Sequence, residues 1–232
     1  MQKTIKNKSE EKVVKAEYHS LYIEEVPEKR EHIKKDLYRI TPARTKFRVY
    51  IDDFMDEGPA LHAVFDKLWS AGKNDELAFR INSSGGLINE GLQFFNLIEN
   101  KFNGRTLTFL DTKAYSMGAL LFCAGDTRVI TPHSDLMFHD YSGGAVGKGG
   151  EIETRVQHTS KKIRDFFKRV ILEKGFLTEE EFNQMVIGQD YWFDAEEMCK
   201  RGIATHVMVN GERIKAKKYL KSLNKKKKGK KK

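Results

Sequence analysis

The sequence predicts an α/β domain with a mainly parallel sheet. Segments with strand character alternate with amphipathic helical segments along residues 41–211, and this alternation favours strands joined by crossover helices. The composition changes on both sides of that region. Residues 1–40 hold ten Lys and Arg against eight Asp and Glu, and residues 212–232 are rich in lysine. We therefore expect one folded domain between a mobile charged arm and a disordered tail.

The first half of the domain alternates two strands with two helices. KFRVYI and ELAFRI have the strand alternation of apolar and polar residues, and PALHAVFDKLWSAG between them is amphipathic. After the turn NSSGG, the segment LINEGLQFFNLIENKF again has helical periodicity. This order predicts two consecutive strand–helix units.

The second half continues the same pattern. LTFL predicts a strand, and the small and apolar residues after Ser116 predict a short buried helix. RVI and DLMFHDY predict two more strands. After a glycine-rich loop, EIETRVQHTSKKIRDFFKRVILEKG predicts a helix that is long enough to project beyond a compact domain.

The composition excludes several classes of protein. No apolar run approaches the ~18 residues that a membrane span needs, and the N-terminus lacks the apolar segment of a secretory signal. Cys123 and Cys199 are far apart and have no metal-ligand spacing. We expect a cytoplasmic protein with reduced cysteines, no bound metal, no cofactor and no membrane contact.

The net charge of +9 belongs to the C-terminal tail rather than to the domain. Residues 213–232 hold 12 Lys and Arg and no acid, and subtracting this +12 from +9 leaves −3 for residues 1–212. A lysine run of this kind predicts a disordered, solvated terminus, and the alternative is non-specific contact with a polyanion. In the N-terminal arm, YHSLYIEEV predicts one short ordered piece.

Ser116 stands directly before the small, apolar helix. Serine at this position is most often a helix N-cap. The same position also suits a nucleophile, because the helix N-terminus favours negative charge beside the serine oxygen. The backbone N–H of Met117 would then donate to an oxyanion. The residue alone does not choose between the two interpretations.

A serine nucleophile needs a base, and His139 is the best candidate. It ends the apolar run LMF and precedes glycines, whereas the other histidines lie in charged, amphipathic, turn or late-strand contexts. A strand-end histidine bonded to backbone is the alternative for this residue. The sequence holds 33 acidic residues, so composition does not identify the carboxylate that would orient the base.

Four motifs in order resemble the Clp (caseinolytic) serine protease family. INSSGGLINEGL is similar to the family's INSPGG segment, and AYSMGALLFCAG to its nucleophile helix. LMFHDYSGGAVGKGGEIE is similar to its histidine strand, and DYWFDAEEMCKRGIATHV to its closing pattern. The resemblance covers about residues 45–208 and implies the Clp protease/crotonase-like fold, with stacked ββα units and a projecting handle helix.

The resemblance implies roles for individual residues. It makes Ser116 the nucleophile, His139 the base and Asp190 the orienting carboxylate; Asp194 is the alternative carboxylate and is better explained as a helix N-cap. It implies that backbone N–H groups bind the oxyanion and that two segments of the chain bind the substrate backbone. The implied oxyanion and substrate residues are Gly86 and Met117, and Leu87, Ile88, Tyr141, Ser142, Gly143 and Gly144.

The resemblance also implies partners. Family members form heptameric rings that pair through the handle into a closed chamber, cut unfolded polypeptides and work with AAA+ unfoldases. Gln189 replaces an arginine that many members use in ring pairing, which weakens the expectation of a double ring. Ala78 and Arg80 stand where the family's docking strand exposes aromatic side chains to the unfoldase, which weakens that expectation too. Ser84 replaces the proline of INSPGG, and Asp140 and Tyr141 follow the histidine in place of Gln-Pro.

Other functions stay open at this point. Crotonase-type enzymes, which bind acyl-coenzyme A, share the fold but lack this Ser-His-Asp set. A non-catalytic ring subunit or nucleic-acid-associated scaffold would explain the lysine tail. Within the protease class, a virus-encoded protease that matures capsids is an alternative to general protein turnover, and its location would be the host cytoplasm.

Overall fold

The computed structural model describes residues 21–27, 44–53 and 59–229. In this part of the chain, nine strands form one sheet and seven α-helices surround it. The strands are β1 (Leu21–Pro27), β2 (Thr45–Ile51), β3 (Glu76–Ser83), β4 (Thr106–Tyr115), β5 (Thr127–Ile130), β6 (Asp135–Phe138), β7 (Tyr191–Phe193), β8 (His206–Val209) and β9 (Glu212–Lys215). The helices are α1 (Pro59–Trp69), α2 (Ile88–Lys101), α3 (Met117–Ala124), α4 (Gly149–Phe167), α5 (Glu179–Met185), α6 (Ala195–Lys200) and α7 (Ala216–Gly229), with a π-helical turn at Lys168–Leu172.

The sheet is mainly parallel, as the sequence predicts. Its order is β1-β2-β3-β4-β5-β8-β9, and the five strands from β2 to β8 in this order are parallel to their neighbours. Antiparallel pairs occur only at margins of the described sheet, where β1 joins β2, β6 joins β7 and β8 joins β9. The predicted α/β class with a mainly parallel sheet is therefore confirmed.

Strand alternation places a continuous apolar face under the helices. In β3, Phe79 and Ile81 are fully buried while Arg80 is partly exposed, in agreement with period-two alternation. Phe94 of α2 packs edge-on against Phe79, with the ring centroids 5.4 Å apart. Phe94 also contacts Phe65 of α1, at 4.7 Å. These contacts join the first two strand–helix units into one core.

Strand β4 is longer than the predicted LTFL because it serves two neighbours. Its first half, Leu107–Leu110, pairs with β5, and its second half, Lys113–Tyr115, pairs with β6. Both pairings are parallel. The change of partner carries the carboxyl end of β4 beside the carboxyl end of β6, and this positions the residues that follow each strand.

Helix α4 is the long helix that the sequence predicts to project. None of the residues 149–162 is buried, whereas Ile163, Phe166 and Phe167 near its end are. Phe166 packs edge-on against Phe95 of α2, with the centroids 4.7 Å apart. Only the last turns of α4 are therefore held by the core of this chain.

The prediction of a disordered tail is wrong for residues 212–229. Strand β9 pairs with β8, and α7 follows it directly. Ala216 is buried, and Tyr219 and Leu220 pack against the core. The three residues follow the i, i+3, i+4 spacing of one helix face, a pattern that the many intervening lysines obscured. The domain thus extends beyond residue 211, while residues 230–232 lie outside the described part.

Part of the predicted N-terminal arm belongs to the sheet. Strand β1 overlaps the segment YHSLYIEEV from Leu21 to its end, extends one residue beyond it to Pro27, and pairs with the whole of β2. The rest of the arm, residues 1–20 and 28–40, lies outside the described residues. Within the described residues, none of the helices has both the length and the apolar content that crossing a membrane requires.

Candidate active site

Ser116 lies in a strained turn between β4 and α3. Its backbone has φ 55° and ψ −125°, a left-handed conformation that costs about 1–3 kcal/mol for a residue other than glycine. Ser116 occupies the N-cap position, but its side chain makes no capping hydrogen bond. Its backbone N–H donates to the Met137 carbonyl of β6 at 3.1 Å. The N-cap interpretation therefore does not explain the hydroxyl.

Helix α3 presents its N-terminus to this serine. The Ser116 carbonyl accepts the N–H groups of Ala119 and Leu120 at 3.1 and 3.2 Å. Met117 is the first helical residue, so its N–H has no acceptor within the helix. Every residue from Met117 to Cys123 is buried. The helix is thus held rigidly by the core, with its positive end beside the hydroxyl.

The glycine turn between β3 and α2 contacts Ser116 closely. Gly85 has φ +109°, and a Cβ atom at this position would lie 2.6 Å from Ser116 Cβ and 3.1 Å from Ser116 Oγ. No side chain other than hydrogen fits there. Gly86, with φ +138°, follows on the exposed side of the turn. The predicted oxyanion residues Gly86 and Met117 therefore flank Ser116 along two converging segments.

Polar side chains that the motif analysis missed hold this turn. The buried Ser83 hydroxyl accepts the Gly85 N–H at 3.0 Å. Asp53 Oδ1 accepts the Ser84 N–H at 2.6 Å, and Lys113 Nζ donates to Ser84 Oγ at 2.6 Å. Proline, the family residue at position 84, has no N–H and no hydroxyl. The serine at this position was the signal that could have revealed both contacts.

His139 and Asp190 lie at the same end of the sheet as Ser116. Phe138, the last residue of β6, pairs with Tyr191, the first residue of β7. Extending this antiparallel register by one pair sets His139 opposite Asp190. On the other side, Tyr115 of β4 pairs with Met137, so Ser116 lies beside Phe138. Three adjacent strand ends thus carry the three predicted residues.

No hydrogen bond links the three side chains in this single chain. Within residues 44–53 and 59–225, the side chains of Ser116, His139 and Asp190 form no hydrogen bond with one another. His139 is half-buried and Asp190 is exposed. Catalytic hydrogen bonds are often long or misaligned without substrate, so this geometry does not disqualify the set.

Asp194 has the structural role that the sequence favours for it. Its Oδ1 accepts the Glu197 N–H at 2.7 Å and so caps α6. In the β6–β7 register it lies opposite Asp135, at the end of β7 away from Asp190. The prediction of a helix cap is confirmed, and Asp190 is the better placed of the two carboxylates.

A charged cluster fixes the elements around β7. Arg201 donates to both carboxylate oxygens of Glu181 on α5, at 2.8 and 2.7 Å, and to Glu197 on α6 at 3.0 Å. Its guanidinium lies over the Phe193 ring at 4.9 Å. The Arg201 hydrogen bonds lower the pKa of Glu181 to about 2. The cluster ties α5 to α6 and so holds the two ends of the segment that carries Asp190.

Most of the predicted substrate residues share one cleft. Ile88 and Tyr141, Ser142, Gly143 and Gly144 line a cleft of about 300 Å³ beside α4. Leu87 precedes Ile88 but is not among the lining residues. Residues 139–146 form no helix or strand, and the Tyr141 hydroxyl lies 2.6 Å from Ser160 Oγ on α4. A segment without helix or strand thus borders the cleft.

The cysteines offer neither a nucleophile nor a metal site. Burial raises the pKa of Cys123 to about 12 and that of Cys199 to about 11, so both thiols are protonated at neutral pH. Among the residues described, no group of three or more His, Cys, Asp or Glu side chains is arranged to hold a metal ion.

Comparison with known proteins identifies the family. The sequence profile of the Clp protease family matches residues 34–211. The chain is also 26% identical over 166 residues to the ATP-dependent Clp protease proteolytic subunit 2 of Thermobifida fusca (strain YX), an alignment that covers 70% of this chain and 80% of that protein. Strand β1 and helix α7 lie outside the matched range. The chain belongs to the Clp protease family.

Proposed function

We propose that this protein is a serine endopeptidase that hydrolyses peptide bonds of unfolded polypeptides. The observation that carries the proposal is the placement of Ser116, His139 and Asp190 at the ends of three adjacent strands. The close approach of Gly85 to Ser116 supports it further. Membership of the Clp protease family favours the same activity.

Each residue then has a defined chemical task. His139 accepts the Ser116 proton as the Oγ atom attacks the substrate carbonyl, and it later returns that proton to the leaving amine. Asp190 orients the imidazole and stabilises its protonated form. The N–H groups of Met117 and Gly86 bind the oxyanion. An acyl-enzyme forms on Ser116, and water then releases the second product.

The substrate is proposed to bind as an added strand. Its backbone lies between the segment Leu87–Ile88 and residues 141–144, which have no strand partner in the described chain. Main-chain hydrogen bonds of this kind depend little on the side chains of the substrate, so the specificity is broad. They also require the substrate chain to be extended. Unfolded polypeptides meet this requirement, whereas folded proteins do not.

A ring assembly is part of the proposal. The Thermobifida fusca relative is named as a subunit of an ATP-dependent protease, and by analogy this chain forms a heptameric ring that encloses its active sites. The exposed part of α4 is the handle that would pair two rings. Gln189, in place of the family's arginine, weakens that pairing. The lysines beyond residue 212 would contact polyanions without sequence preference.

Cooperation with a hydrophobic unfoldase loop is not favoured by this chain. Arg80 on β3 donates to Asp111 through Nη2 at 2.5 Å and Nε at 3.2 Å, and it lies over the Phe109 ring at 4.6 Å. Ala78, on the same strand, is 4% exposed and adds little apolar surface. Docking an apolar loop here would desolvate an ion pair, which is costly.

This part of the proposal is tested with a tagged folded substrate, ATP and a bacterial Clp unfoldase. We expect the protein to cut unfolded chains but not to gain degradation of the folded substrate. Rapid ATP-dependent loss of that substrate would show that docking occurs despite Arg80.

The peptidase activity itself is tested by substituting the nucleophile. Ser116→Ala should lower the hydrolysis of a fluorogenic peptide by ~10⁴-fold or more, because the acyl-enzyme can no longer form. Ser70→Ala is the matched control, since Ser70 is exposed and, among the described residues, its hydroxyl bonds only to the Lys67 carbonyl of α1. Equal rates for Ser116→Ala and wild type would refute the mechanism, and inactive wild type would favour the scaffold alternative.

A further inference from the structure

The geometry points to a specificity site: the cleft beside Ser116 binds an acidic side chain of the polypeptide substrate. This inference rests on the proposed function and adds a preference to it. The cleft is lined by Ile88 and residues 141–144 of the proposed backbone-binding segments, together with one face of α4. The charges on that face set the preference.

The cleft is close enough to the reacting groups to receive a side chain next to the scissile bond. Ile88, at one wall, is two residues after Gly86, and Tyr141, at the other, is two residues after His139. Each residue spans at most about 3.3–3.6 Å along the chain. The cleft therefore begins about two residues from the groups that flank Ser116, within reach of a neighbouring substrate side chain.

Three cationic or basic side chains converge on the cleft from α4. Arg155, His158 and Lys162 follow i, i+3, i+7 spacing, which places them on one helix face, and all three line the cleft. Leu92 of α2 and Ile163 supply apolar surface. None of the described residues that line the cleft is Asp or Glu. A substrate carboxylate would thus meet positive charge without a competing acid.

The charges on this face are not neutralised by the described part of the chain. Arg155 and Lys162 form no ion pair with any carboxylate in residues 44–53 or 59–225. Other cations in the same chain behave differently: Lys200 lies 3.1 Å from Glu196, and Arg201 lies 2.7 Å from Glu181. The α4 face is therefore available to an acidic ligand, and the bound polypeptide is the ligand that passes beside it.

The expected preference is moderate and depends on salt. Ion pairs of exposed side chains are weak individually, so the two cations Arg155 and Lys162 favour a Glu-containing peptide over its Gln counterpart by about five- to tenfold in kcat/KM at low ionic strength. A Lys-containing peptide is disfavoured by repulsion. Because exposed charges are screened, the preference should shrink as salt rises well above about 0.1 M.

The test uses fluorogenic peptides that differ only in Glu, Gln or Lys at the positions flanking the cleaved bond. Wild type should cleave the Glu peptide fastest at low salt. Lys162→Glu sets a carboxylate beside Arg155, so it should abolish the Glu preference while the Gln peptide is still cleaved, a change that loss of folding cannot produce. Lys168→Gln, which removes an exposed lysine outside the cleft, should keep the wild-type order.

Two outcomes separate this inference from the proposed function. Cleavage of all three peptides at equal rates, or a Glu preference that persists in Lys162→Glu, overturns the inference and leaves the peptidase proposal intact. If wild type cleaves none of them, anisotropy with the labelled peptides still decides: tighter binding of the Glu peptide to wild type than to Lys162→Glu supports the cleft assignment, and equal binding overturns it.

Discussion

The two halves of the candidate active site are built in different ways. Around Ser116, the residues are closely packed. Gly85 lies in contact with Ser116, and the side chains of Ala114 and Met117 are 0% and 2% exposed. Around His139 and Asp190, the strand ends are open, and Trp192 beside them is 57% exposed. Ser116 is thus positioned by the core, while His139 and Asp190 are positioned by strand register and by the Arg201 cluster.

We expect the largest loss of activity from a substitution in the open half, around His139 and Asp190. Asp190→Asn should lower kcat by ~10³–10⁴-fold, because an amide neither orients the imidazole correctly nor stabilises its charge. Asp194→Asn is the matched control: asparagine caps helices as well as aspartate does, so activity should be unchanged. Steady-state kinetics on one peptide measures both. Unchanged kcat in Asp190→Asn together with loss of activity in Asp194→Asn would show that the β6–β7 register does not identify the carboxylate that orients His139.

The packed half should respond to the addition of one methyl group. Gly85→Ala places a Cβ atom 2.6 Å from Ser116 Cβ, at a φ that alanine rarely adopts. We expect the serine to shift and kcat/KM to fall by ~10²-fold, since displacements of about 1 Å have such costs.

The control for this change is Gly150→Ala at the start of α4, where a Cβ atom would meet nothing within 4 Å. It should retain full activity. Retention of full activity by Gly85→Ala, in a protein that remains folded, would contradict the claim that packing fixes the nucleophile.

The Arg201 cluster that supports the open half should contribute to stability in a pH-dependent way. Glu181→Gln removes two charge-assisted hydrogen bonds and should lower the free energy of unfolding by about 1–2 kcal/mol at pH 7, after allowance for the partial exposure of the pair. Glu180→Gln is the matched control on the same first turn of α5, where the side chain is exposed. Urea denaturation gives both values.

The sign of the pH effect follows from the lowered pKa of Glu181. Its pKa is about 2 in the folded chain and 4.5 in the reference state, so the ionised form is stabilised by folding. The contribution is complete above about pH 5.5 and declines as pH falls from 4.5 towards 2. The stability difference between wild type and Glu181→Gln should therefore shrink in that interval, and a constant difference would exclude the ion pair as its source.

The smallest effect on stability is expected from a deletion at the C-terminus, which belongs to neither half of the site. Deletion of residues 225–232 removes seven lysines and should change the free energy of unfolding by less than about 0.5 kcal/mol, while lowering the salt needed to elute the protein from heparin. Truncation after residue 211 should destabilise the protein more, because it also removes Ala216, Tyr219 and Leu220 from the core. Unchanged heparin retention after the shorter deletion would place the polyanion contact elsewhere.

The sequence predicted the parallel α/β domain because its signals are local. Apolar alternation in β2 and β3 and helical periodicity in α1 and α2 are visible in single segments. The resemblance of four motifs in order singled out Ser116 and His139 and favoured Asp190. The choice between Asp190 and Asp194, by contrast, depends on the pairing of β6 with β7, which joins residues more than 50 positions apart in the chain.

The remaining features were hidden for identifiable physical reasons. The face of α7 that contacts the core consists of Ala216, Tyr219 and Leu220 within a lysine-rich segment, so composition suggested a solvated tail. The extension of β4 to Tyr115 depends on β6 as a partner. The bonds from Asp53 and Lys113 to Ser84 are tertiary contacts that no single segment encodes.

The central claim is that Ser116 is an activated nucleophile, and covalent labelling tests it most directly. Purified protein is incubated with a fluorophosphonate, digested and mapped by mass spectrometry. The account predicts one adduct, on Ser116, whose formation is slowed by at least ~10²-fold in His139→Ala because the base is lost. Labelling of another serine, no labelling of a protein that cleaves peptides, or equal labelling rates for wild type and His139→Ala would contradict it.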